Sequence, residues 1–318
     1  MTNPRAMRDA LLEQILQRMK TEDDIYFVSA DYGSPVLDHI RNQFPNRFLN
    51  VGVAEQNLIN ISAGLSLEGF RVFAYAIAPF LTMRCFEQLR VNLALLSEVR
   101  EINVNLIGVG AGYSYVVSGP THQCYEDISL IRSLPNFQLY SPSDHILAGS
   151  LIERCLEQAG PKYLRLDAQV LPPLRAKVSP DATDDGFEVL KEGKDGLIFA
   201  TGFMTHTALE VAAQAGGDGK QLAVVDLFNL TSLNLAKFRD LVLQYRHVFS
   251  FEEGFEGRGG MDVLINTHLK SSGYDGQFDG VGVRPGYSFE LGDRQSIHEK
   301  VGIGLETVLK RVLKSYSR

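Results

Sequence analysis

The feature that most constrains the fold is a regular alternation between short, strongly apolar runs and longer amphipathic stretches. Runs such as IYFVSA (25–30), VFAYAI (72–77) and INVNLIGV (102–109) are rich in β-branched and aromatic residues, which is typical of buried strands. Stretches with apolar residues at helical spacing separate these runs, and one of them predicts a helix over about 79–97. Because consecutive parallel strands need a helix-sized crossover, the order predicts an α/β fold with mainly parallel sheets covered on both faces.

The alternation breaks once, at LPPLRAKVSPDATDDG (171–186), where proline, charge and glycine replace the periodic apolar residues. No helix or strand is predicted there. For a chain of 318 residues, this break predicts two doubly wound domains, 1–175 and 191–318, joined by a linker over 176–190. Further strands are predicted at 196–201, 222–227, 247–253 and 277–283.

Composition narrows the classes of function. The formal net charge is -7 and no basic block occurs, which argues against nucleic-acid binding and against a polybasic membrane anchor. The longest uncharged run, Ile102 to Tyr125, is interrupted by Gly, Ser and Pro, so a membrane span is not predicted. Cys85, Cys124 and Cys155 are odd in number and widely spaced, which predicts neither a disulfide framework nor a metal site. We expect a cytoplasmic protein whose partners are proteins and small molecules.

Two blocks carry a family resemblance. The stretch FLNVGVAEQNLINISAGLSLEGFRVFAYAIAPFLTM (48–83) and the stretch SGPTHQCYEDISLIRSLPNFQLYSPSD (118–144) resemble the pyrimidine-binding domain of transketolases and of deoxyxylulose-phosphate synthase. Weaker similarity to the C-terminal domain of the family extends through ATGFMTHTALEVAA and the strand ending FSFEE. The resemblance implies a thiamine diphosphate-dependent enzyme, and it assigns the first domain to the pyrimidine-binding type and the second to the transketolase C-terminal type.

Within this resemblance, Glu55 of VGVAEQN matches the glutamate that hydrogen-bonds N1′ of the cofactor's aminopyrimidine. That contact favours the imino tautomer, whose 4′-nitrogen removes the proton from C2 of the thiazolium. The alternative is that Glu55 is only an acidic residue in the first turn of a helix, where it complements the helix dipole.

Two further polar residues match family positions near the reacting atoms. His122 of GPTHQ resembles the histidine that faces the substrate, where an imidazole donates to developing oxygen charge. Asp31, at the end of the first strand, matches an aspartate close to the thiazolium. The alternatives are a solvated loop histidine for His122 and a helix cap for Asp31.

Phe80, Met83 and Phe86 reproduce the spacing of three family aromatics that wall the aminopyrimidine, with methionine in the middle position. A flexible thioether can still cover the face of a ring. The alternative is that these three residues are plain core residues at helical spacing.

The chain departs from transketolase where the family binds its acceptor. Gly110 and Ala168 stand in place of a histidine and an arginine that grip the acceptor phosphate, and Ser118 replaces an aspartate that reads an acceptor hydroxyl. Loss of charged donors weakens phosphate recognition. Arg165 or Arg84 could substitute, although no spacing argument places either. The acceptor is therefore expected to differ from a simple pentose phosphate.

The diphosphate and Mg²⁺ sites of the family lie on another domain, in a GDG motif followed 25 to 30 residues later by Asn. The GDG at 217–219 stands between a predicted helix and a predicted strand, and Asn229 and Asn234 come too early, so we interpret it as a turn. The resemblance thus implies a partner chain that holds diphosphate and metal, in an α2β2 assembly. Self-association through the pyrimidine domain is expected at the small-residue helix containing 62–64.

The function implied is transfer of a two-carbon ketol unit from a ketose donor to an aldehyde acceptor. Two alternatives remain open from sequence. One is the β subunit of a 2-oxoacid dehydrogenase, which shares size, domain order and the activating glutamate. The other is a non-catalytic structural or regulatory subunit, for which neither Glu55 nor His122 is needed.

Overall fold

The computed structural model describes residues 3–317, which form two compact units. One unit runs to Ala111 and resumes over Leu130–Val178. The other consists of Gly112–Ser129 together with the chain from Ser179 onward. The segment Gly112–Ser129 falls within the range predicted for the first domain, yet it packs with the second unit.

The first unit is built on a six-stranded, fully parallel sheet with the strand order β3-β2-β4-β5-β7-β6. A separate antiparallel pair joins β1 to β8. The strands are β1 (Arg5–Ala6), β2 (Ile25–Ser29), β3 (Phe48–Asn50), β4 (Arg71–Ile77), β5 (Asn103–Val109), β6 (Gln138–Tyr140), β7 (Gly160–Leu166) and β8 (Val170–Leu171).

Helices cover this sheet in two groups. α1 packs against α2, α6 and α7, whereas α3 packs against β4 and a π-helical segment, Leu89–Leu95. The helices are α1 (Met7–Met19), α2 (Pro35–Gln43), α3 (Glu55–Leu67), α4 (Phe86–Gln88), α5 (Asp127–Arg132), α6 (His145–Ser150) and α7 (Ile152–Glu157), with a 3-10 turn at Pro45–Arg47.

The strand order creates one position suited to a ligand. From β2 the chain moves to β3 on one side, and it then crosses to β4 on the other side of β2. In open parallel sheets, ligands bind outside the carboxyl ends of the strands at such a reversal. The loops that follow β2 and β4 therefore border the crevice of the first unit.

The second unit has a five-stranded sheet in the order β13-β12-β10-β11-β9, parallel except for the antiparallel edge strand β9. Its strands are β9 (Phe187–Lys191), β10 (Gly196–Ala200), β11 (Leu222–Leu227), β12 (His247–Phe255) and β13 (Gln277–Val283). Its helices are α8 (Pro180–Asp185), α9 (Met204–Gly217), α10 (Leu235–Val242), α11 (Met261–Ser271), α12 (Arg294–Val301) and α13 (Leu305–Ser315). The α/β class with mainly parallel sheets is confirmed.

The prediction that 171–186 contains no element is wrong. α8 and the end of β8 lie within it, and the proposed linker also contains part of β9. α8 is too short to show a periodic pattern, and it is held by tertiary contacts: Asp185 accepts from Asn234 Nδ2 at 2.9 Å and from Lys237 Nζ at 2.7 Å. α12 was also missed, because its sequence is mostly polar.

No helix within residues 3–317 is long and apolar enough to cross a membrane.

Candidate functional site

The carboxyl edge of the first sheet gathers most of the candidate residues. Asp31 lies two residues after the end of β2, Glu55 is the first residue of α3 after β3, and Phe80 lies three residues after β4. Because β2, β3 and β4 are parallel, these positions lie at one edge of the sheet, beside the strand reversal.

The Glu55 side chain is only 3% exposed and forms an ion pair with Arg84, whose Nη1 lies 2.8 Å from Glu55 Oε2. The preceding residue, Ala54, supplies no side-chain cap to α3. An acidic residue that only complements a helix dipole can stay in solvent. Glu55 is instead buried and paired with a cation, so the dipole alone does not account for its position.

The segment that contains Phe80, Met83 and Phe86 has a backbone different from the one predicted. One helix was predicted over 79–97, but the chain forms two π-helical segments, Phe80–Arg84 and Leu89–Leu95, on either side of the short α4. Such wide turns insert an extra residue and are frequent at functional sites. The sequence pattern does not distinguish a π turn from an α turn, because both place apolar residues three to four apart.

Phe80 and Phe86 are half-buried, and Met83 is 41% exposed. None of the three has the full burial of a core residue. The Arg84 guanidinium carbon lies 4.5 Å from the centre of the Phe80 ring, so Phe80 and Glu55 are linked through Arg84. The next residue, Cys85, is buried, and burial, with a smaller contribution from the Glu55 charge, raises the pKa of its thiol to about 12.

Asp31 adopts a φ of 55°, a left-handed conformation that non-glycine residues rarely take. Asn50 holds it from β3: Asp31 N donates to Asn50 Oδ1 at 3.0 Å, and Asn50 Nδ2 donates to Asp31 Oδ1 at 2.9 Å. The interpretation of Asp31 as a helix cap is wrong, because Ser34 caps α2 by accepting from Leu37 N. Strained backbone of this kind clusters at functional sites.

His122 and Ser118 belong to the segment that packs with the second unit. Its loop is closed by a backbone pair between Gly112 and Cys124, with N–O distances of 2.8 and 2.9 Å. His122 is half-buried, and its Nδ1 lies 3.0 Å from Thr121 Oγ1. Ser118 is exposed on the same loop. The structure thus brings Glu55 and Phe80 together, with Asp31 on the same edge, and places His122 and Ser118 in the other unit.

A buried charge cluster anchors this loop to the second unit. Glu253, at the carboxyl end of β12, accepts from the backbone N–H of Tyr113 at 3.3 Å. The same carboxylate is bound by Arg294, at 2.9 and 2.6 Å, and contacts His298 Nε2 at 2.7 Å. Sequence reasoning missed this cluster because its members come from three distant segments. The signal in the sequence was an acidic pair at a strand end, EEG, at 252–254.

The electrostatics of Glu253 follow from these contacts. Burial opposes its ionisation, but the charge of Arg294 and the bond to His298 outweigh burial and hold the pKa of Glu253 well below its usual range. Arg294 also lies over the Phe203 ring at 3.7 Å, which holds the cation from its other face.

The departures from the family pattern have a structural basis in part. Gly110 has a φ of 110°, so a histidine at this position would require a different backbone. Two arginines were considered as substitutes for the lost groups. Arg165 lies on β7 and is only 2% exposed, and Arg84 is paired with Glu55.

The GDG at 217–219 is a helix-terminating turn, as predicted. α9 ends at Gly217, Gly219 has a φ of 74°, and Lys220 N donates back to Ala215 O at 3.0 Å. In the part of the chain that the structure describes, no group of three or more His, Cys, Asp or Glu side chains could hold a metal ion.

Comparison with family models decides the assignment. The model of the transketolase pyrimidine-binding domain matches residues 3–173, and that of the transketolase C-terminal domain matches residues 185–308. The chain belongs to the transketolase family. It corresponds to the C-terminal section of a transketolase, with the pyrimidine-binding domain first.

Relatives in the transketolase family include separate subunits. The chain is 26% identical to a subunit of the apulose-4-phosphate transketolase of Actinobacillus succinogenes, over 98% of this chain and 99% of the relative. It is 30% identical to the SqwH subunit of the 6-deoxy-6-sulfo-D-fructose transketolase of Clostridium sp. strain MSTE9, over 67% of this chain and 65% of the relative. These similarities favour a transketolase subunit over the β subunit of a 2-oxoacid dehydrogenase.

Solved structures agree. A split gene transketolase described as an inactive beta4 tetramer superposes with a TM-score of 0.84 at 29% identity, covering 98% of both chains. The transketolase of Campylobacter jejuni shares the fold, with a TM-score of 0.79 at 21% identity, but this chain covers only 47% of its length.

Proposed function

We propose that the chain is the pyrimidine-binding subunit of a two-subunit, thiamine diphosphate-dependent transketolase, which moves a two-carbon ketol unit from a ketose to an aldehyde. The observation that carries this proposal is the buried Glu55 carboxylate at the start of α3, on the ligand-binding edge of a domain that belongs to the transketolase pyrimidine-binding type.

The residues present fit an aminopyrimidine. The Arg84 guanidinium donates to one oxygen of Glu55 and lies over the Phe80 ring, which leaves the other oxygen of Glu55 to interact with such a ring. When bound, the cofactor supplies a carbanion at C2 of its thiazolium. Glu55 would share a proton with ring nitrogen N1′, while Phe80 and Phe86, with Met83 at the rim, would cover the ring. Asp31 would border the thiazolium.

His122 is proposed to face the substrate and to donate to oxygen charge on the donor sugar. Its contact with Thr121 and the closed neck of its loop support a defined orientation. Ser118 on this loop, and Arg165, remain proposals as substrate-binding residues.

A partner chain is proposed to bind the diphosphate and Mg²⁺. The chain covers less than half of a full-length transketolase, and its GDG forms a turn. Two copies of each subunit would give an α2β2 enzyme, joined between copies of this chain through the pyrimidine domain.

The acceptor is proposed to differ from a simple pentose phosphate, because Gly110, Ser118 and Ala168 replace the family groups that grip it. The relatives named for apulose 4-phosphate and 6-deoxy-6-sulfo-D-fructose suggest these two ketoses as first donors to test.

The test is copurification with the partner, titration with thiamine diphosphate and Mg²⁺, and a panel of ketose donors, 2-oxoacids and aldehyde acceptors. We expect ketose cleavage that is lost in Glu55→Ala. Full activity in that variant would rule out the mechanism, decarboxylation of a 2-oxoacid would indicate the dehydrogenase subunit, and failure to bind the cofactor would indicate a structural subunit. A clear preference for ribose 5-phosphate would refute the proposal on the acceptor.

A further inference from the structure

The ion pair between Arg84 and Glu55 is asymmetric. The Glu55 side chain is 3% exposed, whereas that of Arg84 is 46% exposed. A buried carboxylate without a cation is costly, and removing one member of such a pair is strongly destabilising. Arg84 therefore supplies a counter-charge to the buried Glu55 carboxylate.

Arg84 binds only one of the two oxygens of the Glu55 carboxylate. Arg84 Nη1 donates to Oε2, while Oε1 makes no hydrogen bond to any residue in the described range 3–317. A carboxylate has several acceptor positions on its two oxygens. One oxygen is thus fixed by the protein, and the other is left to accept a proton or a hydrogen bond from a ligand.

Arg84 is itself held in place from two sides. Its guanidinium lies over the Phe80 ring at 4.5 Å, and its backbone oxygen accepts from Gln56 Nε2 at 3.3 Å, which ties it to α3 beside Glu55. It is the last residue of the π-helical segment Phe80–Arg84. The wide turn therefore ends at a cation that contacts both the Phe80 ring and the Glu55 carboxylate.

We propose that Arg84 is a positioning residue for activation of the aminopyrimidine. By binding Oε2, it would fix the plane of the Glu55 carboxylate and leave Oε1 to interact with N1′. Its guanidinium would remain the cation beside Oε2 while Oε1 interacts with N1′. The bound cofactor would supply the base itself, since a hydrogen bond from N1′ to Glu55 would favour loss of a proton from its 4′-amino group. This role rests on the proposed function.

The experiment uses the chain copurified with its partner and loaded with thiamine diphosphate and Mg²⁺. The readout is exchange of the C2 proton of the cofactor for deuterium, measured by quenched-flow NMR without any substrate. Four variants are compared: Arg84→Met, Arg84→Lys, Glu55→Gln and the matched control Arg90→Met. Arg90 lies on the neighbouring π-helical segment and pairs with Glu87 at 3.3 Å, with exposures of 52% and 67%.

We expect exchange in Arg84→Met to slow about 10- to 100-fold, as for loss of a hydrogen bond between charged groups. Arg84→Lys should restore part of the rate, because it keeps the charge but loses the planar fork. Arg90→Met should exchange at the wild-type rate. Cofactor binding, followed by fluorescence quenching, should stay within a few-fold in all variants that assemble.

Wild-type exchange in Arg84→Met, with slow exchange in Glu55→Gln, would overturn the role of Arg84 and leave the proposed function intact. Faster exchange with tighter cofactor binding would also overturn it, since Arg84 would then block the site. Wild-type exchange in Glu55→Gln would instead refute the proposed function. If Arg84→Met does not assemble, Arg84→Lys decides, because slowed exchange supports the proposal and an unchanged rate opposes it.

Discussion

Arg294 of α12 grips Glu253 of β12 through two hydrogen bonds, of 2.9 and 2.6 Å, with the side chains only 4% and 2% exposed. The pair lies where the strand order of the second sheet reverses, at the carboxyl end of β12 next to β10. Open sheets commonly bind ligands at this position. Here Glu253 and Arg294 occupy this position. Glu253 also accepts from the backbone N–H of Tyr113, next to the backbone pair that closes the loop containing His122.

Replacement of Glu253 by glutamine should destabilise the protein strongly, because Arg294 and His298 then lose their buried counter-charge. Breaking a buried pair costs about 3–5 kcal/mol, so we expect a loss of that order in the free energy of unfolding, measured by urea denaturation. Lys310→Met is the control, since Lys310 and Glu306 are each 80% exposed and 3.8 Å apart. A loss below about 1 kcal/mol in Glu253→Gln would contradict the assignment of this cluster as an anchor.

Stability should also fall in acid. The pKa of Glu253 is lower in the folded protein than the value of about 4.3 for an unfolded glutamate, so folding binds fewer protons at this site. The contribution is therefore complete above about pH 4.3 and decreases as the pH falls toward the folded pKa. Unfolding free energies measured from pH 6 to pH 3 should converge for wild type and Glu253→Gln. A constant difference over this range would contradict the shift.

The stability contribution of Lys162 should likewise rise with pH, but in an alkaline range. It is buried on β7 and donates to Asn103 Oδ1 at 3.1 Å and to Gly160 O at 3.0 Å, and burial lowers its pKa to about 8. Between that value and the value of about 10.4 for unfolded lysine, the unfolded chain binds more protons, so stability rises with pH.

Relative to Lys162→Met, the wild type should gain about 2 kcal/mol between pH 7.5 and pH 9.5, measured by urea denaturation. The exposed Lys310→Met variant should show no such difference from wild type. A flat difference for Lys162→Met would mean that Lys162 stays protonated in the folded protein throughout.

Substitutions of Asp31 can separate the effect of its left-handed backbone from the effect of its carboxylate. Asparagine tolerates the left-handed conformation, whereas alanine meets a cost of about 1–2 kcal/mol there. Asp31→Asn should therefore fold with nearly wild-type stability, and Asp31→Ala should lose about 1 kcal/mol or more in thermal or urea unfolding. If the carboxylate acts beside the cofactor, both variants should lose ketol transfer. Full activity in Asp31→Asn would leave only the backbone role.

Much of the fold was determined by sequence order alone. Runs such as VFAYAI and LAVVDL bury both faces of a strand, so they predict parallel strands directly, and β4 and β11 lie within one residue of their predicted bounds. The turn at 217–219 was equally clear, since glycine after a helix is a local signal. Elements that depend on distant contacts were missed, such as α8, which is held by Asn234 and Lys237.

For the candidate site, the sequence by itself predicted Glu55 from its family motif, because one residue type in a fixed local pattern suffices for such a match. Only the tertiary structure decided what surrounds it. The partnership of Glu55 with Arg84 depends on a π-helical turn that leaves no mark on apolar spacing, and the support of the His122 loop depends on charges from β12 and α12. Hydrogen bonds and ion pairs act over a few ångströms in space, and the fold alone brings residues 29 or 140 positions apart to that distance.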